Sequence, residues 1–307
     1  MCVKVTGSDR RGMSRMIVFG IAVFSLLIVL ALSFHLNFHL NNERGGGVVG
    51  DEWKIGVMVT IPPQAEFVRS VGGENVVVDI MIPPGENPHV YEPEPGRLIN
   101  LSRARMYVMM GSGIEFERVW MDEIISLNSE MLIVNCSKGI ELINEGGGAA
   151  DPHIWLSPRN ARIIVRNICE GLVEIDPANR SYYESNMNSY INALDELDRR
   201  ISEKLSQMEC RKILVYHPAW AYFARDYGLE QISIEKEGKD PTPEGIAHII
   251  EQAKSEGIDT VFVSPQFSRE TADVIADAIG GNVVVIDPLA ENYLENMGKI
   301  AEMIAAS

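Results

Sequence analysis

With 307 residues, 46% of them hydrophobic and 23% charged, the chain has room for one large domain or two smaller ones. Its composition excludes wholesale disorder, collagen-like repeats and a multi-span membrane protein. Acidic side chains outnumber basic ones by 43 to 27, for a formal net charge of −16, and residues 1–45 hold five basic against two acidic side chains. The negative charge therefore sits in the remainder. A body of that kind repels phosphates, which excludes nucleic acid as a partner and suits a cationic ligand.

In chain order, Met16–Phe34 comes first, an uncharged apolar run long enough for a helix to cross a bilayer's hydrocarbon core. Basic residues Lys4, Arg10, Arg11 and Arg15 precede it, so the N-terminus is expected to stay cytoplasmic and the body to lie outside. Its length favours an uncleaved anchor over a cleaved signal peptide, although Ala31-Leu32-Ser33 offers a cleavage site. Residues 35–50 end in a glycine cluster and read as a linker. We divide the chain into residues 1–45 (cytoplasmic N-terminus, membrane segment and linker), an N-terminal lobe at 46–176, a connecting helix at 177–208 and a C-terminal lobe at 209–307.

Within the body, Val- and Ile-rich runs predict strands at Lys54–Ile61, Val76–Ile82, Met106–Gly111 and Met131–Cys136. A second set is expected at Lys212–Tyr216, Gln231–Ile234, Thr260–Val263 and Val283–Ile286. Helical stretches such as Glu115–Leu127, Pro243–Glu256 and Arg269–Ile279 separate them. Continuous apolar strands alternating with helices predict an α/β fold with parallel sheets in two lobes. Between the groups, Arg159 to Met208 is helical with a break at Asp176-Pro177. Met187, Ile191, Leu194, Ile201, Leu205 and Met208 form one apolar stripe, as on an ordinary surface helix or on a strut joining the lobes. Cys136, Cys169 and Cys210 fit no zinc or redox spacing and read as small apolar side chains rather than a disulfide framework.

Six histidines are present. His35, His39 and His248 read as structural or solvated. His89 and His153 each follow a proline, His217 precedes one at the end of a strand, and Asp287 ends a later strand before Pro288. Ligands of parallel sheets bind beyond the carboxyl ends of strands, and the adjacent prolines lower the ordering cost of a loop-built site. Two candidates then come from each lobe, which places the site in the cleft between them. Three imidazoles and a carboxylate suit zinc above other metals, since calcium and magnesium want mostly oxygen.

The segments PPGENPHVYEPEPGRL, MMGSGIEFERVW, DPHIWLSPRNA, HPAWAYFARDYGL and SPQFS…VVVIDPL resemble, in that order, the solute-binding proteins of zinc and manganese ABC importers. The resemblance covers Trp53 to the C-terminus. It implies two (β/α) lobes joined by one long rigid helix, a metal held between them, and His89, His153, His217 and Asp287 as its ligands. In that family the third ligand is usually His in zinc proteins and Glu in manganese proteins, so His217 implies Zn2+, with Mn2+ as the alternative cargo. It also implies an ABC permease as partner, a monomeric extracytoplasmic protein, and here a tether through the N-terminal membrane segment.

The chain departs from the family in three respects. The stretch before the second ligand, ELINEGGGAAD, is short and not histidine-rich, which argues against a metal-gathering loop. Ser264 stands where many relatives carry Glu, and no lipid-attachment Cys follows the apolar run. A zinc hydrolase is the enzymatic rival, with Asp287 as a base and Glu115 or Glu117 as its partner. Both glutamates are explained more simply as charges favoured at a helix N-terminus, and no enzymatic activity is expected. A metal-stabilised adhesin is the structural rival.

Overall fold

Runs such as Ile-Gly-Val-Met-Val and Thr-Val-Phe-Val carry apolar groups on both sides of an extended chain, so they are stable only where a sheet is covered on both faces. The computed structural model describes residues 54–144, 150–235 and 239–307, and shows these runs as parallel strands. The apolar segment at 16–34 and the linker lie outside the described residues.

The first sheet holds β1 (Ile55–Val59), β2 (Val76–Ile80), β3 (Met106–Met109) and β4 (Leu132–Asn135) in the order β2-β1-β3-β4. The second holds β5 (Lys212–Val215), β6 (Glu230–Ser233), β7 (Thr260–Val263) and β8 (Asn282–Val285) in the order β6-β5-β7-β8. All pairings are parallel and the two orders are the same. In each sheet the chain first steps to one side and then returns to the other, leaving a crevice beyond the carboxyl ends of β1 and β3, and of β5 and β7.

Helices α1 (Pro62–Gly72), α2 (Pro95–Leu101) and α3 (Glu115–Leu127) connect the first four strands. Two longer helices follow, α4 (Pro158–Ile175) and α5 (Arg180–Leu205), separated by a 3-10 turn at Pro177–Asn179. The second half adds α6 (Ala221–Tyr227), α7 (Pro243–Glu256), α8 (Glu270–Ile279) and α9 (Tyr293–Ala305). Local chemistry marks several starts: Ser157 Oγ accepts from Asn160 N at 3.0 Å and Thr242 Oγ1 from Gly245 N at 3.1 Å, each ahead of a proline at the first helical position.

Helix α5 is 26 residues long, about 39 Å of helix. It buries Tyr183, Tyr190, Ile191, Leu194, Leu197, Ile201 and Leu205, a wider stripe than the one expected. Met187 and Met208 sit at its edge, partly buried. The stripe packs on α1 and α4 from the first half and on α6 and α9 from the second. It is thus a strut, bound along its length to both lobes. One apolar core runs from Val57 and Val108 through Ile164, Leu194 and Leu197 to Trp220, Met297 and Ile304. A second core, with Leu214, Ile249, Val261, Val263 and Ile275, lies in the C-terminal lobe.

Buried polar links join the same halves. Trp155 Nε1 donates to Pro288 O at 2.8 Å, Tyr293 OH to Trp155 O at 2.8 Å, and Tyr222 OH to Asp151 O at 2.9 Å. Tyr190 OH donates to Glu66 Oε1 at 2.5 Å. Cys136 and Cys169 are buried and free, and Cys210 is free and half-buried. His248 is exposed on α7.

Candidate metal centre

Three of the four expected residues meet. His217 Nε2 lies 3.3 Å from His89 Nε2 and 3.3 Å from His153 Nε2. One donor atom from each ring falls within 4.8 Å of the other two. With zinc–imidazole bonds of about 2.0–2.1 Å, a tetrahedral arrangement separates neighbouring nitrogens by roughly 3.3 Å. The two separations made by His217 match it.

The opposite face of each ring is held by a carboxylate. His89 Nδ1 lies 3.0 Å from Glu115 Oε2, His153 Nδ1 2.9 Å from Asp151 Oδ1, and His217 Nδ1 3.0 Å from Glu235 Oε2. A carboxylate accepts only, so the proton of each neutral ring belongs on Nδ1 and the lone pair on Nε2 faces inward. Three such lone pairs within 4.8 Å of one another are a donor set that could hold a metal ion. Burial holds the His217 imidazole below its ordinary range, although its bond to Glu235 opposes that shift, so the ring is neutral and ready to ligate. Phe267 stacks on the His217 ring at 4.7 Å, and Trp155 stands 5.3 Å from the His153 ring. With these residues the histidines line a cavity of about 30 Å³, room for one small ion or water.

Backbone turns aim the rings. Asn87 Oδ1 accepts from His89 N at 2.9 Å, and Asp151 Oδ1 from His153 N at 2.8 Å. Each is an Asx turn across an intervening proline. Asp287 belongs to the same class by a different route, since its Oδ1 accepts from Leu289 N at 2.9 Å. Within its own turn it holds the position that Asn87 and Asp151 hold in theirs. Asp287 stands outside the cluster of converging donor atoms, with Gln266 Nε2 also bonded to its Oδ1 at 3.0 Å.

The two glutamates at the start of α3 do more than favour a helix dipole. Glu115 orients His89, and Glu117 is buried, accepting from Thr60 Oγ1 at 2.6 Å, Met110 N at 2.6 Å and Gly111 N at 2.8 Å. Glu117 thus ties the chain ends that leave β1 and β3, and burial raises its pKa. Its bond from Gly111 sits in a left-handed turn (φ 73°), where a Cβ would stand 1.9 Å from Asn135 Oδ1. Only glycine fits there. Sequence reasoning missed Glu235, Asp151 and the pairing of Glu115 with His89, although Asp151-Pro152-His153 carried the signal for one of them.

Two like-ordered parallel sheets, a long helix packed on both halves and a three-histidine cluster where their loops meet define a two-lobed metal-binding protein of the solute-binding class. The family described as zinc-uptake complex component A, periplasmic, matches residues 57–307, and the chain belongs to it. The high-affinity zinc uptake system protein ZnuA of Bacillus subtilis strain 168 is 30% identical over 296 residues, 90% of each chain. The zinc-binding lipoprotein AdcA of Streptococcus pneumoniae is 27% identical across 90% of this chain and 59% of its own length. Among solved structures, a crystal structure of ZnuA superposes with a TM-score of 0.81 at 38% identity, covering 83% of this chain and 99% of that one. A zinc-bound ZnuA deletion mutant superposes with a TM-score of 0.79 at 38% identity, over 82% and 97% of the two chains.

Proposed function

We propose that this chain captures Zn2+ outside the cytoplasm and hands it to the permease of an ABC importer. His89, His153 and His217 hold the ion through Nε2, and Asp287 supplies the fourth ligand. The observation that carries this reading is that His217 Nε2 lies 3.3 Å from the Nε2 of both His89 and His153, with a carboxylate on the Nδ1 of all three rings. Membership of a zinc-uptake family supports the cargo and the permease partner. Residues 46–176 and 209–307 act as the two lobes and 177–208 as the rigid link, in a monomer tethered through the segment at 16–34.

A hydrolytic role is less well supported. Glu117 is committed to Thr60 and to two backbone N–H groups, and Glu115 to His89, so neither is free as a base beside a metal-bound water.

The test is growth of a strain lacking this protein in chelated medium. Added zinc, or the wild-type gene, should restore growth, and the His217→Ala gene should not. Full rescue by His217→Ala, or rescue by manganese alone, would defeat the proposal.

A further inference from the structure

Asp287 Oδ1 accepts two hydrogen bonds, from Leu289 N at 2.9 Å and from Gln266 Nε2 at 3.0 Å. The first closes the same Asx-Pro turn that Asn87 and Asp151 close ahead of their histidines. In those two turns the closing side chain and the metal-facing side chain are different residues. If Asp287 is the fourth ligand, one carboxylate carries both tasks there. Its backbone is fixed as well, because Asn296 Nδ2 of α9 donates to Asp287 O at 2.7 Å.

Gln266 lines the histidine cavity, and its Oε1 is buried with no hydrogen-bond partner among the described residues. The opposite amide orientation would set two acceptors against each other, so the carboxylate fixes Nε2 as the end that faces it. An amide kept with one end unsatisfied is held there for what its other end does. The next residue, Phe267, stacks on His217, so one short loop governs both a histidine and the aspartate.

We propose that Gln266 is a positioning residue that restricts Asp287 to a single metal-binding oxygen, Oδ2, and thereby favours zinc over manganese. The inference rests on the reading of Asp287 as the fourth ligand. An oxygen whose two lone pairs already accept two donors joins a metal only by giving one of them up, and the Gln266 side chain is the donor that can be removed without breaking the turn. Three imidazoles and one carboxylate oxygen make a four-coordinate set, the arrangement zinc adopts in closed sites. Release of Oδ1 lets the carboxylate bind through both atoms, which suits manganese, an ion of oxygen-rich and higher-coordinate sites.

The experiment uses the full chain with Gln266→Met, which keeps the length of the side chain but removes the donor, and Gln266→Ala as a second variant. Competitive titration measures the zinc-to-manganese affinity ratio, and the visible absorption of the cobalt(II)-loaded protein reports coordination number. Both variants should narrow the ratio about tenfold, the scale seen when groups behind metal ligands are removed. The cobalt band should weaken as four-coordination gives way. In an Asp287→Ala background, Gln266→Met should change neither readout. An unchanged ratio and spectrum in both variants, or an equal shift in the Asp287→Ala background, would overturn the proposal. So would wild-type zinc affinity in Asp287→Ala alone, which leaves the three-histidine reading intact. A wild-type protein that binds no zinc defeats that reading itself.

Discussion

At the scale of single residues, each imidazole is useful only if its Nε2 lone pair points inward, and a carboxylate on Nδ1 secures that. The Glu235 side chain is buried, at 5% exposure, whereas the Glu115 side chain is 48% exposed. Glu235→Leu should therefore weaken zinc binding by roughly 10- to 100-fold. Glu235→Gln, which retains an acceptor, should lose less, and Glu115→Ala less than Glu235→Leu. Competition against a chelator of known affinity ranks the three. A second prediction concerns protons. Burial depresses the His217 pKa in the folded state, while the unfolded chain titrates near its ordinary value of about 6.5. The unfolded state then binds more protons between those two values. The stability that His217 contributes is present above about pH 6.5 and is lost as pH falls through the depressed folded value. Denaturant midpoints of the metal-free protein should fall as pH drops from 7 to 5, and by less in His217→Gln. Equal slopes in the two proteins would remove His217 as a cause.

Among the elements, all eight strands were legible because continuous Val and Ile runs need burial on both faces, and their ends agree with the observed ones to within two residues. The order of strands within each sheet was not, since pairing is a long-range choice that local pattern does not record. The histidines were legible from their prolines and strand ends. Two of their three carboxylates were not, because Glu115 lies 26 residues from His89 and Glu235 18 residues from His217. The shared context of Asp287-Pro288 and His217-Pro218 also concealed a difference: Asp287 closes its own turn, as Asn87 and Asp151 do. For α5, the spacing of apolar residues gave the stripe but not the partners on both sides of it. Leu197 is fully buried on that stripe, in the core that α9 shares. Leu197→Ala should cost about 2–5 kcal/mol of stability. Zinc affinity of the folded variant should change little, and chemical denaturation paired with zinc titration separates the two effects.

For the whole molecule, a core continuous between the halves and buried links such as Trp155–Pro288 and Tyr222–Asp151 oppose wide hinge motion. Metal loading should then move loops rather than lobes. X-ray scattering curves of the metal-free and zinc-loaded protein should nearly superimpose, and a marked fall in radius of gyration on loading would contradict the strut. A body with this excess of acidic groups also attracts cations toward the site at low ionic strength. All of this depends on the three imidazoles meeting on one ion. Zinc K-edge X-ray absorption of the stoichiometrically loaded protein reads that directly. The account predicts three imidazole nitrogens and one further nitrogen or oxygen at about 2.0–2.1 Å. Two or fewer imidazoles, or a sulfur neighbour at about 2.3 Å, would contradict it.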